Sequence, residues 1–162
     1  MRNILGISLG ARFVGIAVLY DGELTDFRVR TFFGAWNDNK RKEMIETITQ
    51  TIKRYGIHKI VIKTPKPFHC SQSITDLTDD ILQLADKLKI RVMVCTISML
   101  TRNNKDNPVH NKQTLIQSII RKYPTHRRLA DLYEKERKKH AHYYVKLFEA
   151  IACTELAQKT DK

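Results

Sequence analysis

Three sets of side chains in this sequence have types and spacings that could do chemistry. Asp76, Asp79 and Asp80 place three carboxylates within five residues. Carboxylates that close together could hold a divalent cation, which wants anionic oxygen ligands. They also fall on the first turns of an expected helix, where acids favour the helix dipole and supply caps, and that plainer use is expected of them. Cys70, Cys95 and Cys153, with six histidines, are the soft ligands. The cysteines make no CxxC pair, and the ligand spacings of zinc sites are absent. They read as reduced thiols, with Cys95 and Cys153 as core filler. His140 and His142 are two apart on a helical stretch and do not face each other. Ser8 as a nucleophile would need a paired base, and the histidines lie on distant segments.

The third set is cationic. Lys and Arg number 29 against 17 Asp and Glu, a net charge of +12. The densest stretch holds Arg121, Lys122, Arg127, Arg128, Lys135, Arg137, Lys138 and Lys139 against Asp131, Glu134 and Glu136, with Tyr123, Tyr133, Tyr143 and Tyr144 interleaved. Cations with aromatics grip phosphates and stack bases, so DNA or RNA is the expected partner. The same residues would equally furnish an exposed helix with pairs such as Glu134–Lys138, its tyrosines serving the core. A polar loop adds Arg102, Lys105 and Lys112.

The elements that must position these groups follow from the hydrophobic pattern. Apolar strands cover Ile4 to Gly10 and Phe13 to Tyr20, closed by the turn pair Asp21-Gly22, and a third strand runs from Leu24 to Phe33. Asn37-Asp38-Asn39 caps a helix over Lys40 to Tyr55, which Gly56 stops. A strand at Lys59–Lys63, a helix over Ser73–Leu88 and a buried-type strand over Arg91–Ile97 come next. Thr101 to Pro108 has no hydrophobic period and reads as loop. Helices then cover Lys112–Lys122 and Leu129–Gln158, with Pro124 between them. At 162 residues, 42% hydrophobic and 28% charged, the chain reads as one globular α/β domain, 1–162. No apolar run approaches the roughly 20 residues that span a bilayer, and MRNILGISLG lacks a signal-peptide layout. Cytoplasm without membrane attachment is the expected location.

The segment ILGISLGARFVGIAVL, Ile4 to Leu19, resembles the first motif of RuvC-type resolvase nucleases in the RNase H-like superfamily. That motif is a strand, an Asp-x-Gly turn and a second strand with Gly-x-Ala. VIKTPKPFHCSQSITDLTDDILQLADKLKIRVMVCTISMLTR resembles the later block of a strand carrying Glu, a helix, and a strand ending in a Thr-x-Ser turn, here Thr96-Ile97-Ser98. NKDNPVHNKQTLIQSII resembles the polar loop and Lys-rich helix, and LFEAIACTELA the closing helix. The resemblance covers nearly the whole chain in the family's order. It implies a mixed five-stranded sheet, an antiparallel meander followed by parallel strands, flanked by helices.

Nucleases of that superfamily hold two divalent ions with clustered carboxylates. Matched onto this chain, the first-strand Asp is Ser8, the later-strand Glu is Lys63, and the two acids of the closing helix are Lys146 and Glu149. Ser8, Lys63 and Glu149 are expected to converge at the C-terminal region of the central strands, a lysine pairing with Glu149. The resemblance implies a nucleic-acid-binding protein with a degenerate acidic site, without nuclease activity, metal or other cofactor. Arg127, Arg128, Lys138 and Lys139 would border the cleft, and a homodimer is the implied assembly. Two alternatives stand beside this reading. One is an active Mg²⁺-dependent, structure-specific endonuclease with rearranged acids, Glu149 joined by Asp21 or Asp26. The other is a protein-interaction module on the same fold.

Overall fold

The computed structural model describes residues 2–10, 12–31, 34–65, 70–102, 112–139 and 144–160, with 136–139 described for backbone alone. Its strands are β1 (Ile4–Leu9), β2 (Phe13–Tyr20), β3 (Glu23–Thr31), β4 (Lys59–Lys63) and β5 (Arg91–Cys95). Its helices are α1 (Asp38–Tyr55), α2 (Gln72–Lys87), α3 (Ile97–Arg102), α4 (Lys112–Lys122), α5 (Arg127–Lys139) and α6 (Val145–Thr160). One sheet runs in the order β3-β2-β1-β4-β5. β1, β2 and β3 pair antiparallel, and β4 and β5 join parallel to β1, the mixed sheet expected from the sequence.

Both faces of the central strands are covered, so β1 and β2 read as continuous apolar runs rather than alternating ones. Leu5, Ile7, Leu9, Ile60 and Ile62 point into a core shared with α1 and α2. Ile4, Ala17 and Val61 point the other way, into a core built with α4, α5 and α6. α6 is buried on almost every side, from Val145 to Ala157. A helix that is apolar all round belongs inside, and this one lies directly on the sheet. Two glycines allow that approach. A Cβ at Gly6 would land on the carbonyl oxygen of Ala150, and one at Gly15 on the carbonyl of Lys146.

Local signals place the boundaries. Asn37 caps α1 by accepting from the Lys40 N–H at 3.0 Å, and Gly56 ends it in the left-handed conformation (φ 57°). Asp21 and Gly22 both have positive φ, 50° and 88°, as a tight two-residue hairpin turn requires. Three expectations are corrected. β5 stops at Cys95 and is half-exposed, with Val94 46% accessible, because it is the sheet edge. Residues 97–102 form the short helix α3, so helix begins where the Thr96-Ile97-Ser98 turn and the polar loop were expected. The long closing helix is two helices, α5 and α6. Among the described residues no helix is long and apolar enough to cross a membrane.

Candidate functional site

A row of residues in register crosses the sheet at the C-terminal ends of its parallel strands. Ser8 of β1 pairs with Lys63 of β4 and with Gly15 of β2, and Lys63 pairs with Cys95 of β5. Strand alternation turns these residues away from α1 and α2 and toward α6. From above, α6 supplies Lys146, Glu149 and Cys153, whose spacings put them on one side of the helix. Gly10 leaves room for the Lys146 stem, since a Cβ there would come 2.8 Å from Cε.

The row and the helix meet in a buried ion cluster. Lys63 Nζ stands 2.7 Å from Glu149 Oε2, with the two side chains 5% and 1% exposed. Lys146 Nζ is 3.5 Å from Glu149 Oε1, and the Ser8 hydroxyl donates a long hydrogen bond, also 3.5 Å, to the same oxygen. Burial alone would push the Glu149 carboxyl up. Lys63 and Lys146 outweigh it and hold the group below the usual glutamate range. Lys146 shifts down, first through burial and then through repulsion from Lys63 and Lys112, against the pull of Glu149. Beside the cluster the free thiols of Cys95 and Cys153 touch, Sγ to Sγ 3.8 Å, both buried as core.

The donor set does not fit a pair of divalent cations. One carboxylate is present, and an ammonium faces each of its oxygens. Among the described residues no three His, Cys, Asp or Glu are grouped to hold an ion. The acids of the rearranged-site alternative lie elsewhere. Asp21 sits beyond the N-terminal end of β1, its N–H donating to Asn3 Oδ1, whereas Ser8 is near the other end of that strand. Asp26 accepts from the Tyr55 hydroxyl of α1 at 3.2 Å, and so faces the opposite layer from Glu149. Neither joins Glu149.

Asp76 and Asp80 have a different use from the helix-dipole role expected of them. Arg41 of α1 clamps Asp80 with contacts of 2.6 and 2.8 Å, and Asp76 accepts from the Trp36 indole at 3.0 Å. The hydrogen bonds from Trp36 and then Gln72 hold the Asp76 carboxyl below its ordinary range. These acids tie α1 to α2, and Asp79 is exposed.

The basic residues are spread over the α6 side and its rim. Arg102 ends α3, Lys112 begins α4, and Arg127 and Arg128 begin α5, all four exposed. Lys138 and Lys139 fall in the last turn of α5, their side chains outside the described set. Lys105, His140, His142 and Tyr143 lie outside the described residues. Tyr133 and Tyr144 pack in or against the core, as does Tyr123, so these three serve packing. Two aromatic residues not singled out from the sequence stand among the cations. The Arg128 guanidinium lies 5.7 Å over the Phe27 ring, and His126 meets that ring edge-on at 5.6 Å. Phe27 and His126 are 99 positions apart, and no local pattern links them.

No protein-family model and no curated protein matches the chain. Its fold, however, is found among solved structures. Thermus thermophilus RuvC superposes with a TM-score of 0.61 at 11% identity, over 73% of this chain and 78% of that one. The same protein in complex with a Holliday junction substrate gives 0.55 at 11% identity, over 65% and 71%. The yeast mitochondrial Holliday junction resolvase Ydc2 gives 0.62 at 10% identity, over 96% of this chain and 77% of its own. Identities this low speak for architecture alone. The chain has the RuvC-like RNase H fold.

Proposed function

We propose that this protein binds DNA or RNA and carries out no two-metal cleavage, its ammonium groups standing where nucleases of this fold gather carboxylates. The observation that carries the reading is the Lys63–Glu149–Lys146 cluster, in which both oxygens of the one carboxylate face cations at 2.7 and 3.5 Å. Two lysines against one glutamate already leave a positive charge, and two divalent ions would add four more in a buried place. Nucleic acid as the partner is supported by the net charge of +12 and by the Holliday junction held by one structural neighbour. The reading extends to a cytoplasmic protein, which free thiols suit, and to a homodimer, which sedimentation checks.

Thermal melting with millimolar Mg²⁺ and with chelator is the test. Equal melting temperatures are expected, since an ion that does not bind the native state cannot stabilise it. The combined variant Ser8→Asp, Lys63→Glu, Lys146→Asp should gain Mg²⁺-dependent stabilisation. Mg²⁺-dependent cleavage by the wild-type protein, abolished by Glu149→Gln, would overturn the reading.

A further inference from the structure

We propose that Phe27 and the α4–α5 turn form a stacking platform for unpaired bases, making single-stranded nucleic acid the preferred ligand. This rests on the nucleic-acid reading above and adds the strand type to it.

Phe27 lies on β3, the sheet edge, and turns its ring toward the α6 layer, where it is half-buried. The turn after α4 folds over it. His126 meets the Phe27 ring at 5.6 Å with an interplanar angle of 89°, and Tyr123 meets His126 at 6.2 Å. Arg128 lays its guanidinium 5.7 Å over Phe27. An aromatic ring, an imidazole and a planar guanidinium at one rim are the groups on which bases stack.

The charge around them points to the same ligand. Residues 121–130 hold Arg121, Lys122, Arg127 and Arg128 and no acid. Arg121, Arg127 and Arg128 are exposed, and among the described residues none of the three forms an ion pair. Arg28, Arg30 and Arg41 do form ion pairs, with Asp26, with Glu43, and with Asp76 and Asp80 respectively. The nearby acids do not cancel the patch. Glu155 is largely buried and faces Lys122 at 3.4 Å, Glu23 acts on Tyr123, and Asp131 is exposed on α5. A duplex offers this surface only phosphates, because its base faces are stacked on one another. An unpaired strand offers phosphates to the arginines and a base face to the rings.

Fluorescence anisotropy should compare a labelled mixed-sequence strand of about 12 nucleotides with its own duplex, across a salt series. The wild-type protein should bind the single strand at least about fivefold more tightly than the duplex. Phe27→Leu with His126→Ala removes both rings and keeps every lysine and arginine. It should weaken single-strand binding about tenfold, change duplex binding less than about twofold, and leave the salt slope unchanged. His126→Ala alone, a substitution in a turn, should lose about threefold on the single strand if the double variant melts early. Arg121→Ala with Arg127→Ala should weaken both ligands alike and flatten the salt slope. Equal or tighter duplex binding by the wild-type protein would overturn the platform, as would an aromatic variant that loses neither ligand or both equally. Binding of neither ligand at low salt would instead end the nucleic-acid reading itself.

Discussion

Along α6, Glu149 and Glu155 stand six residues apart, both largely buried, with side-chain exposures of 1% and 14%. At Glu149, burial is outweighed by Lys63 and Lys146, themselves 5% and 17% exposed, and the carboxyl is held below its ordinary range. At Glu155, burial dominates. Lys122 approaches at 3.4 Å but is 45% exposed, and with Tyr123 it offsets only part of the cost, so the carboxyl shifts up. The two sites show that burying a carboxylate does not fix its charge. The number of cations and their own distance from water decide it, because solvent screens an exposed ammonium.

The largest test of that contrast is to neutralise each glutamate. Glu149→Gln leaves two buried ammonium groups without a counter-charge and should cost about 3–5 kcal/mol. In a chain of this size that is a fall in melting temperature on the order of 10 °C. Glu155→Gln replaces a carboxyl that burial already drives toward neutrality and should change stability by less than about 1 kcal/mol. Equal losses in the two variants would break the contrast.

A smaller effect separates charge from shape. Replacing the whole cluster, with Lys63→Met, Lys146→Met and Glu149→Leu, removes the desolvation cost along with the attraction. Denaturant titration should then return stability to within about 1–2 kcal/mol of wild type. If the combined variant is as weak as Glu149→Gln, the site depends on packing shape and the electrostatic account is wrong.

The smallest effect lies in pH dependence, where the two groups have opposite signs. A folded-state carboxyl held low contributes stability that is present above the unfolded value, about 4.3, and lost as pH falls through the folded value. That is Glu149. A carboxyl held high contributes stability that is present below about 4.3 and lost as pH rises through its folded value. That is Glu155. Melting curves from acid to neutral pH should therefore lose part of their acid-side fall in Glu149→Gln. In Glu155→Gln they should lose a shallow decline above the ordinary glutamate range.

Much of this architecture is written locally. β1 and β2 are legible because strands covered on both faces need apolar residues at every position, and Asp21-Gly22 states its turn outright. The meeting of Ser8, Lys63 and Glu149 follows from matching the motifs in order, since register and helix spacing then fix who faces whom. Other features have no local signature. α3 is six residues long, too short to show a helical period. No Gly or Pro lies between Leu129 and Gln158, so the division into α5 and α6 goes unmarked. Val94 looks like a core residue until the strand order puts β5 at an edge. The contact of Phe27 with His126 exists only in the folded chain.

The glycine-floored bed beneath α6 also sets an order of events during synthesis. Gly6 and Gly15 belong to the first two strands, whereas the helix backbone that fits against them begins at Val145. A ribosome adding about 5–20 residues per second delivers that helix on the order of ten seconds after the strands. In the interval the layer of α1 and α2 is available to cover one face of the sheet, while the other lacks the helix that lies directly on it. Glycine offers no side chain with which a substitute could be gripped. The nascent sheet must therefore keep one face unfinished until α6 arrives.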